Sequence, residues 1–126
     1  MSVSADEFLA QSRRLLADGR EIDIRASISR AYYSAYHCAE AAAGRMELPE
    51  SARRSTGTHE KLFARFDGGG KRLKMLARML RDKKRLRAAA DYDLDESFES
   101  AEAVLHIREV ESMVKELDRL GQSALA

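Results

Sequence analysis

The sequence predicts an all-α protein, an up-and-down bundle of four long helices with one additional short helix. Three observations carry that expectation. Apolar residues recur at three- and four-residue intervals, with no stretch of strict alternation that would mark a strand. Charged residues make up 34% of the chain against 44% hydrophobic, and the two are interleaved at helical spacing. The single proline and most of the glycines fall between the periodic segments rather than inside them.

Ser4 followed three positions later by Glu7 is a capping-box pattern, so the first helix is expected to start there. Phe8, Leu9, Leu15 and Leu16 supply its apolar contacts, and Gly19 is placed to end it in left-handed geometry. The second helix is expected over about 23–43, with Asp23 as its cap and Gly44 as its stop. Its small residues Ala31, Ala35, Ala39 and Ala42 allow close approach of neighbours, which marks it as the central helix. Residues 45–57, with Pro49, Ser51, Ser55, Thr56 and Gly57, read as an exposed connection. Thr58 is a candidate cap for a short helix carrying Leu62, Phe63 and Phe66, closed by Asp67 and the three glycines 68–70. A long helix follows, with Leu73, Leu76, Met79, Leu80 and Leu86 as its apolar stripe. Residues 90–93 (Ala-Asp-Tyr-Asp) read as a turn, and the last helix is expected from Leu94 or Asp95. Phe98, Ala101, Leu105, Met113, Val114, Leu117 and Leu120 would line its inner face.

A chain of 126 residues suits one domain, here 1–126, and no apolar run approaches the roughly 20 residues of a membrane span. One cysteine allows no intrachain disulfide, and residues 1–7 lack the basic and apolar regions of a secretory signal, so a cytoplasmic setting is expected. The net charge of +1 argues against a protein that coats nucleic acid in bulk. Its distribution is uneven. From Lys71 to Arg87 there are nine basic residues and one acid, a local balance of +8, and Asp91, Asp93, Asp95, Glu96, Glu99 and Glu102 then reverse the sign. Either the two blocks neutralise each other, or the first attracts phosphate, with Lys71, Arg72, Lys74 and Arg78 as candidate RNA-binding residues.

The second helix carries the best candidate for chemistry. Arg30 and His37 stand seven positions apart, which returns an α-helix to within roughly 20° of the same face. Tyr33 and Ser34 fall on that stripe, while Ile24, Ile28, Ala31, Ala35, Ala39 and Ala42 gather opposite. Arginine clamps phosphate with paired hydrogen bonds, and histidine exchanges protons near neutral pH. RNA offers both a phosphodiester and an adjacent 2′-hydroxyl nucleophile, so a base, an acid and a charge stabiliser suffice without a metal. Seven residues rise about 10.5 Å, too far for one Arg30 and one His37 to grip one phosphate, and a symmetric dimer crossing along this helix would supply two of each. The bland alternative is a solvated Arg and His stripe with a Tyr33 stack.

Other sites are weaker on spacing. His37 and Glu40 stand three apart beside Cys38, but no second such pair exists, so no metal is expected and Glu40 is assigned instead to orienting the His37 imidazole. Cys38 reads as a small buried thiol. His59 and His106 look isolated. The glycines 68–70 lack the lysine and serine of a phosphate-binding loop, and no cofactor is expected.

The stretch 29–41 (Ser-Arg-Ala-Tyr-Tyr-Ser-Ala-Tyr-His-Cys-Ala-Glu-Ala) resembles the signature helix of HEPN domains (higher eukaryotes and prokaryotes nucleotide-binding), in particular the small single-domain bacterial branch. The 90–93 segment entering an acidic final helix is similar to that branch as well, and the likeness covers nearly the whole chain. Ala31 stands where active members often carry a polar residue, and Ala39 where some toxin members have a tyrosine. The resemblance implies a helical bundle that forms a homodimer, with Arg30 and His37 of both subunits in a shared cleft. It implies a metal-independent ribonuclease of the toxin-antitoxin kind, with Arg30 holding the phosphate and His37 transferring protons; Tyr33, Ser34 and Glu40 are the supporting residues by their place on or beside the stripe. The partner implied is a nucleotidyltransferase antitoxin. Two alternatives stay open: a non-catalytic RNA- or nucleotide-binding module, and a protein-binding adaptor.

Overall fold

A computed structural model describes residues 2–50 and 57–125, and these form five α-helices with no strand among the described residues. They are α1 (Ala5–Asp18), α2 (Glu21–Arg45), α3 (Thr58–Asp67), α4 (Lys71–Tyr92) and α5 (Ser100–Leu125). The all-α expectation holds. No helix among the described residues is long and apolar enough to cross a membrane.

The ends of α1 follow from local chemistry. The Ser4 amide donates to the Glu7 carboxylate at 2.6 Å, completing the expected capping box, and Gly19 closes the helix at φ 81°. Only Gly19 and Arg20 separate α1 from α2, so the two helices must run back along each other. α2 begins at Glu21, two residues before the expected Asp23 cap. Asp23 instead lies in the first turn with Glu21, where two carboxylates face the positive end of the helix dipole.

Gly44 does not stop α2. The helix runs through it to Arg45, and the left-handed position falls on Glu47 at φ 53°. The Leu48 amide donates to Ala43 at 3.0 Å and the Glu47 amide to Gly44 at 3.1 Å, the two bonds of a Schellman cap. A non-glycine residue there costs about 1 kcal/mol. Tertiary contacts offset it: the Arg65 guanidinium of α3 donates to the Leu48 carbonyl at 2.7 and 3.0 Å and to Ala43 at 3.3 Å. Part of the expected 45–57 connection, including Ser51, Ser55 and Thr56, lies outside the described residues.

α2 packs against all four other helices, as its alanines predicted. Ala31, Tyr32, Ala35 and Ala39 are fully buried there, joined in the larger core by Phe63 and Phe66 of α3, Leu80 of α4 and Val110, Met113 and Leu117 of α5. A second cluster joins Ile24 and Ile28 to Ala90, Phe98 and Ala103.

The expected turn at 90–93 is the end of α4, which continues to Tyr92. α5 starts at Ser100, later than Leu94 or Asp95. Arg25 explains the delay. Its side chain reaches from α2 to donate to the carbonyls of Ala90 and Asp93, both at 2.9 Å, and to that of Glu96, so the backbone of 93–96 is bonded to a guanidinium instead of a helix. Phe98 is buried ahead of the helix, with the Arg25 guanidinium 4.9 Å from its ring centre. Ala101 and Leu105 face solvent, because the inner stripe of α5 is centred on Ala103, His106, Ile107 and Val110.

Candidate functional site

Arg30 and His37 both project from the side of α2 that α1 leaves partly open, and one α1 ring lies beside each of them. The Arg30 guanidinium stands 5.7 Å from the centre of Phe8, and the His37 ring 5.2 Å from it. Arg30 is exposed and the His37 side chain keeps 42% of its surface accessible. Tyr33, half-buried, stands 6.4 Å from His37, and Tyr36 stands 5.4 Å from it. Two groups able to meet an anion and a proton thus share one wet face, with their aromatic support behind them.

Two neighbours of the stripe differ from expectation. Ser34 is fully buried and its hydroxyl has no partner, so it does not belong to the exposed stripe. Its azimuth lies about 40° from Arg30, on the same side as Cys38, and both are covered by packing. Glu40 approaches Nδ1 of His37 only to 3.7 Å, with Glu40 exposed and His37 partly so. That separation is an ion-pair distance and is too long for the hydrogen bond that would hold the ring. Cys38 is buried in the core, where desolvation pushes its thiol up to about 12.

The structure also gathers a cluster that spacing did not reveal. His59 of α3 stacks on Tyr32 at 5.6 Å with only 11° between the ring planes, and lies 4.5 Å from Tyr36 and 6.1 Å from Tyr33. Burial raises the Tyr32 hydroxyl well above its ordinary pKa, and it lowers that of His59, helped by the positive charges of Lys84 and Arg87. Burial thus disfavours the charged form of both groups, and the Tyr32 hydroxyl and Nδ1 of His59 share a hydrogen bond. Arg87 caps the cluster. Its guanidinium stands 5.6 Å from both Tyr32 and Tyr33 and 5.9 Å from Tyr92, and Asp91 pairs with it at 3.4 Å. Tyr33 and Tyr36 thus touch His37 on one side and His59 on the other. Nothing in the chain distance between α2 and α3 could announce this, since it depends on how the two helices pack.

The basic block divides. Arg72 pairs with Glu116 at 2.8 Å, Lys83 with Glu109 at 2.7 Å, Arg85 with Asp82, and Arg81 with both Glu60 and Asp67. Neutralisation is therefore real, but its acids come mainly from α3 and α5; of the acidic run 91–102, only Asp91, in the last turn of α4, pairs with the block, through Arg87. Lys71, Lys74, Arg78 and Lys84 have no ion pair among the described residues. The four candidate RNA-binding residues also part company. Lys71 and Arg72 flank a cavity of about 600 Å³ between α4 and α5, floored by Met75, Met79 and Met113. Lys74 and Arg78 line another of about 330 Å³ with Asp67, Arg81 and Arg85. Among the described residues no group of three or more His, Cys, Asp or Glu side chains is placed to hold a metal ion.

No family model matches this chain, and no curated protein does either.

Proposed function

We propose that this chain is a HEPN-type protein that cleaves RNA without a metal, acting as a homodimer whose cleft takes Arg30 and His37 from both subunits. The observation that carries the reading is the shared exposed face: both groups stand against Phe8, and both remain accessible. In the proposed reaction one His37 accepts the proton of the RNA 2′-hydroxyl as that oxygen attacks the adjacent phosphorus. The partner subunit's copy of the imidazole gives a proton to the departing 5′-oxygen. Arg30 meets the extra negative charge on the phosphorane. The products are a 2′,3′-cyclic phosphate and a 5′-hydroxyl. Phe8 and Tyr33 hold the two groups at the surface, and the resemblance adds a nucleotidyltransferase antitoxin as partner.

The test is a gel assay on single-stranded RNA in excess chelator, with sedimentation to fix the oligomer. Arg30→Ala and His37→Ala are each expected to lose on the order of 100-fold or more in cleavage rate, with the fold unchanged by circular dichroism. A 2′-deoxy substitution at the cut site should abolish cleavage. Wild type that does not cut, or variants that cut equally well, would remove the enzymatic reading. Lys74 and Arg78, without an ion pair among the described residues, favour a second reading, a non-catalytic RNA-binding module, which predicts salt-sensitive binding with no product.

A further inference from the structure

The cavity between α3 and α4 has a charge pattern that the Arg30 and His37 face does not use. Lys74, Arg78, Arg81 and Arg85 stand at successive four-, three- and four-residue steps, which puts four cations on one stripe of α4. Like charges at such spacing destabilise a free helix, so the stripe exists against the helix's own preference. The four cations line the cavity of about 330 Å³, with Asp67 the one acid among the described residues of its walls.

Two of the cations are already committed. Arg81 donates to Glu60 at 2.5 and 3.2 Å and to Asp67 at 2.6 and 3.0 Å, which ties both ends of α3 to α4 and fixes the cavity wall. Asp82 takes the Arg85 guanidinium. Lys74 and Arg78 remain, exposed and without an ion pair among the described residues. They stand one helical turn apart, about 6 Å along the axis.

We infer that this cavity is a subsite for two neighbouring phosphate groups, gripped by Lys74 and Arg78, with Arg85 at the rim and Arg81 as the positioning residue that sets the wall. Lys74 and Arg78, left without an ion pair among the described residues, are the two groups that phosphates entering this cavity would meet. No aromatic ring among the described residues lines the cavity to stack a base. Recognition here is therefore of phosphate alone and is indifferent to base sequence. The same chemistry is offered by consecutive phosphodiesters of an RNA strand and by a free oligophosphate.

The inference does not rest on cleavage, so binding is measured with the His37→Ala protein, which keeps RNA intact. One probe is a short oligouridylate lacking terminal phosphates; the other is inorganic tripolyphosphate. Lys74→Gln with Arg78→Gln is expected to weaken binding about 10-fold and, for the RNA, to flatten the salt dependence by about 1.4 in log–log slope, the loss of two phosphate contacts. The charge-matched control, Arg108→Gln with Lys115→Gln on α5, should change affinity less than 2-fold. Arg81→Lys, checked for folding by circular dichroism, should weaken binding although its own charge is kept. RNA binding alone identifies a strand-tracking subsite, and tripolyphosphate binding alone a free-oligophosphate subsite; either supports the inference. Binding of neither probe, or equal losses in the α4 and α5 variants, would overturn it and leave the ribonuclease reading untouched.

Discussion

The two sides of α2 hold the same residue types to opposite ends. Toward α4 and α5, Arg25 is buried and its guanidinium is occupied by three backbone carbonyls and Glu21, while His106 of α5 is buried with Nε2 donating to the Ile28 carbonyl at 3.0 Å. Toward α1, Arg30 and His37 keep open surface and have aromatic faces as their close support. The chemistry available to an arginine or a histidine is thus decided by what its donors already hold. Arg25 and His106 are used up by the fold, and Arg30 and His37 are left for something else.

Truncating the two arginines should separate these roles most sharply. Arg25→Ala removes the donors that hold Ala90, Asp93 and Glu96 and the cation over Phe98, so unfolding free energy should fall by about 4 kcal/mol. Arg30→Ala should change it by about 0.5 kcal/mol or less, since only an exposed cation–π contact is lost. Urea denaturation of both variants measures the difference. Equal losses would show that Arg30 is as structural as Arg25.

The buried histidine predicts a pH dependence of nearly the same size. Burial lowers His106 to about 4, with Lys83 adding to the shift and the Ile28 carbonyl and Glu109 opposing it. The folded pKa lies below the ordinary 6.5, so the unfolded chain binds the proton first on acidification. The contribution is complete above about pH 6.5 and is lost progressively as pH falls toward about 4, on the order of 3 kcal/mol in all. His106→Asn should flatten the stability curve in that window. His59, also lowered, leaves a residual slope of the same sign. An unchanged slope in the variant would mean that His106 does not titrate as its burial requires.

Sequence patterns disclosed what is local. The Ser4–Glu7 box, the Gly19 stop, the start of α4 after Gly70 and the alanine seam of α2 each depend on residues within a turn or two of one another. What failed was set from a distance. Gly44 is intrinsically a stop, but Arg65 stabilises a cap three residues later, on Glu47. The start of α5 moved because Arg25, about seventy residues away, binds the intervening carbonyls. A helical wheel gave Ser34 its azimuth correctly, yet azimuth does not say how far a covering helix extends. The candidate site was half legible for the same reason: Arg30, Tyr33 and His37 share one helix, whereas Phe8, His59 and Arg87 reach it from three others.

Phe8 tests whether the open side is arranged or merely bare. Phe8→Ala should lower stability by about 1.5 kcal/mol, because the ring is only partly buried. It should also free both functional groups at once, so RNA cleavage is expected to fall about 10-fold. Phe8→Leu should recover most of the stability while leaving cleavage low, since an aliphatic side chain has no π face for Arg30. Full activity in both variants would reduce the ring to ordinary packing.

The smallest effect expected is at Glu40, where the open side most resembles ordinary surface. An exposed i,i+3 contact of 3.7 Å is worth less than about 0.5 kcal/mol, so Glu40→Gln should leave the urea midpoint almost unchanged. Its effect on catalysis decides how His37 is held. If the Phe8, Tyr33 and Tyr36 rings position the imidazole, cleavage in Glu40→Gln stays within about 2-fold of wild type while Phe8→Ala does not. A large loss in Glu40→Gln would mean that carboxylate and imidazole close to hydrogen-bonding distance when RNA binds, a tightening that catalytic contacts often undergo.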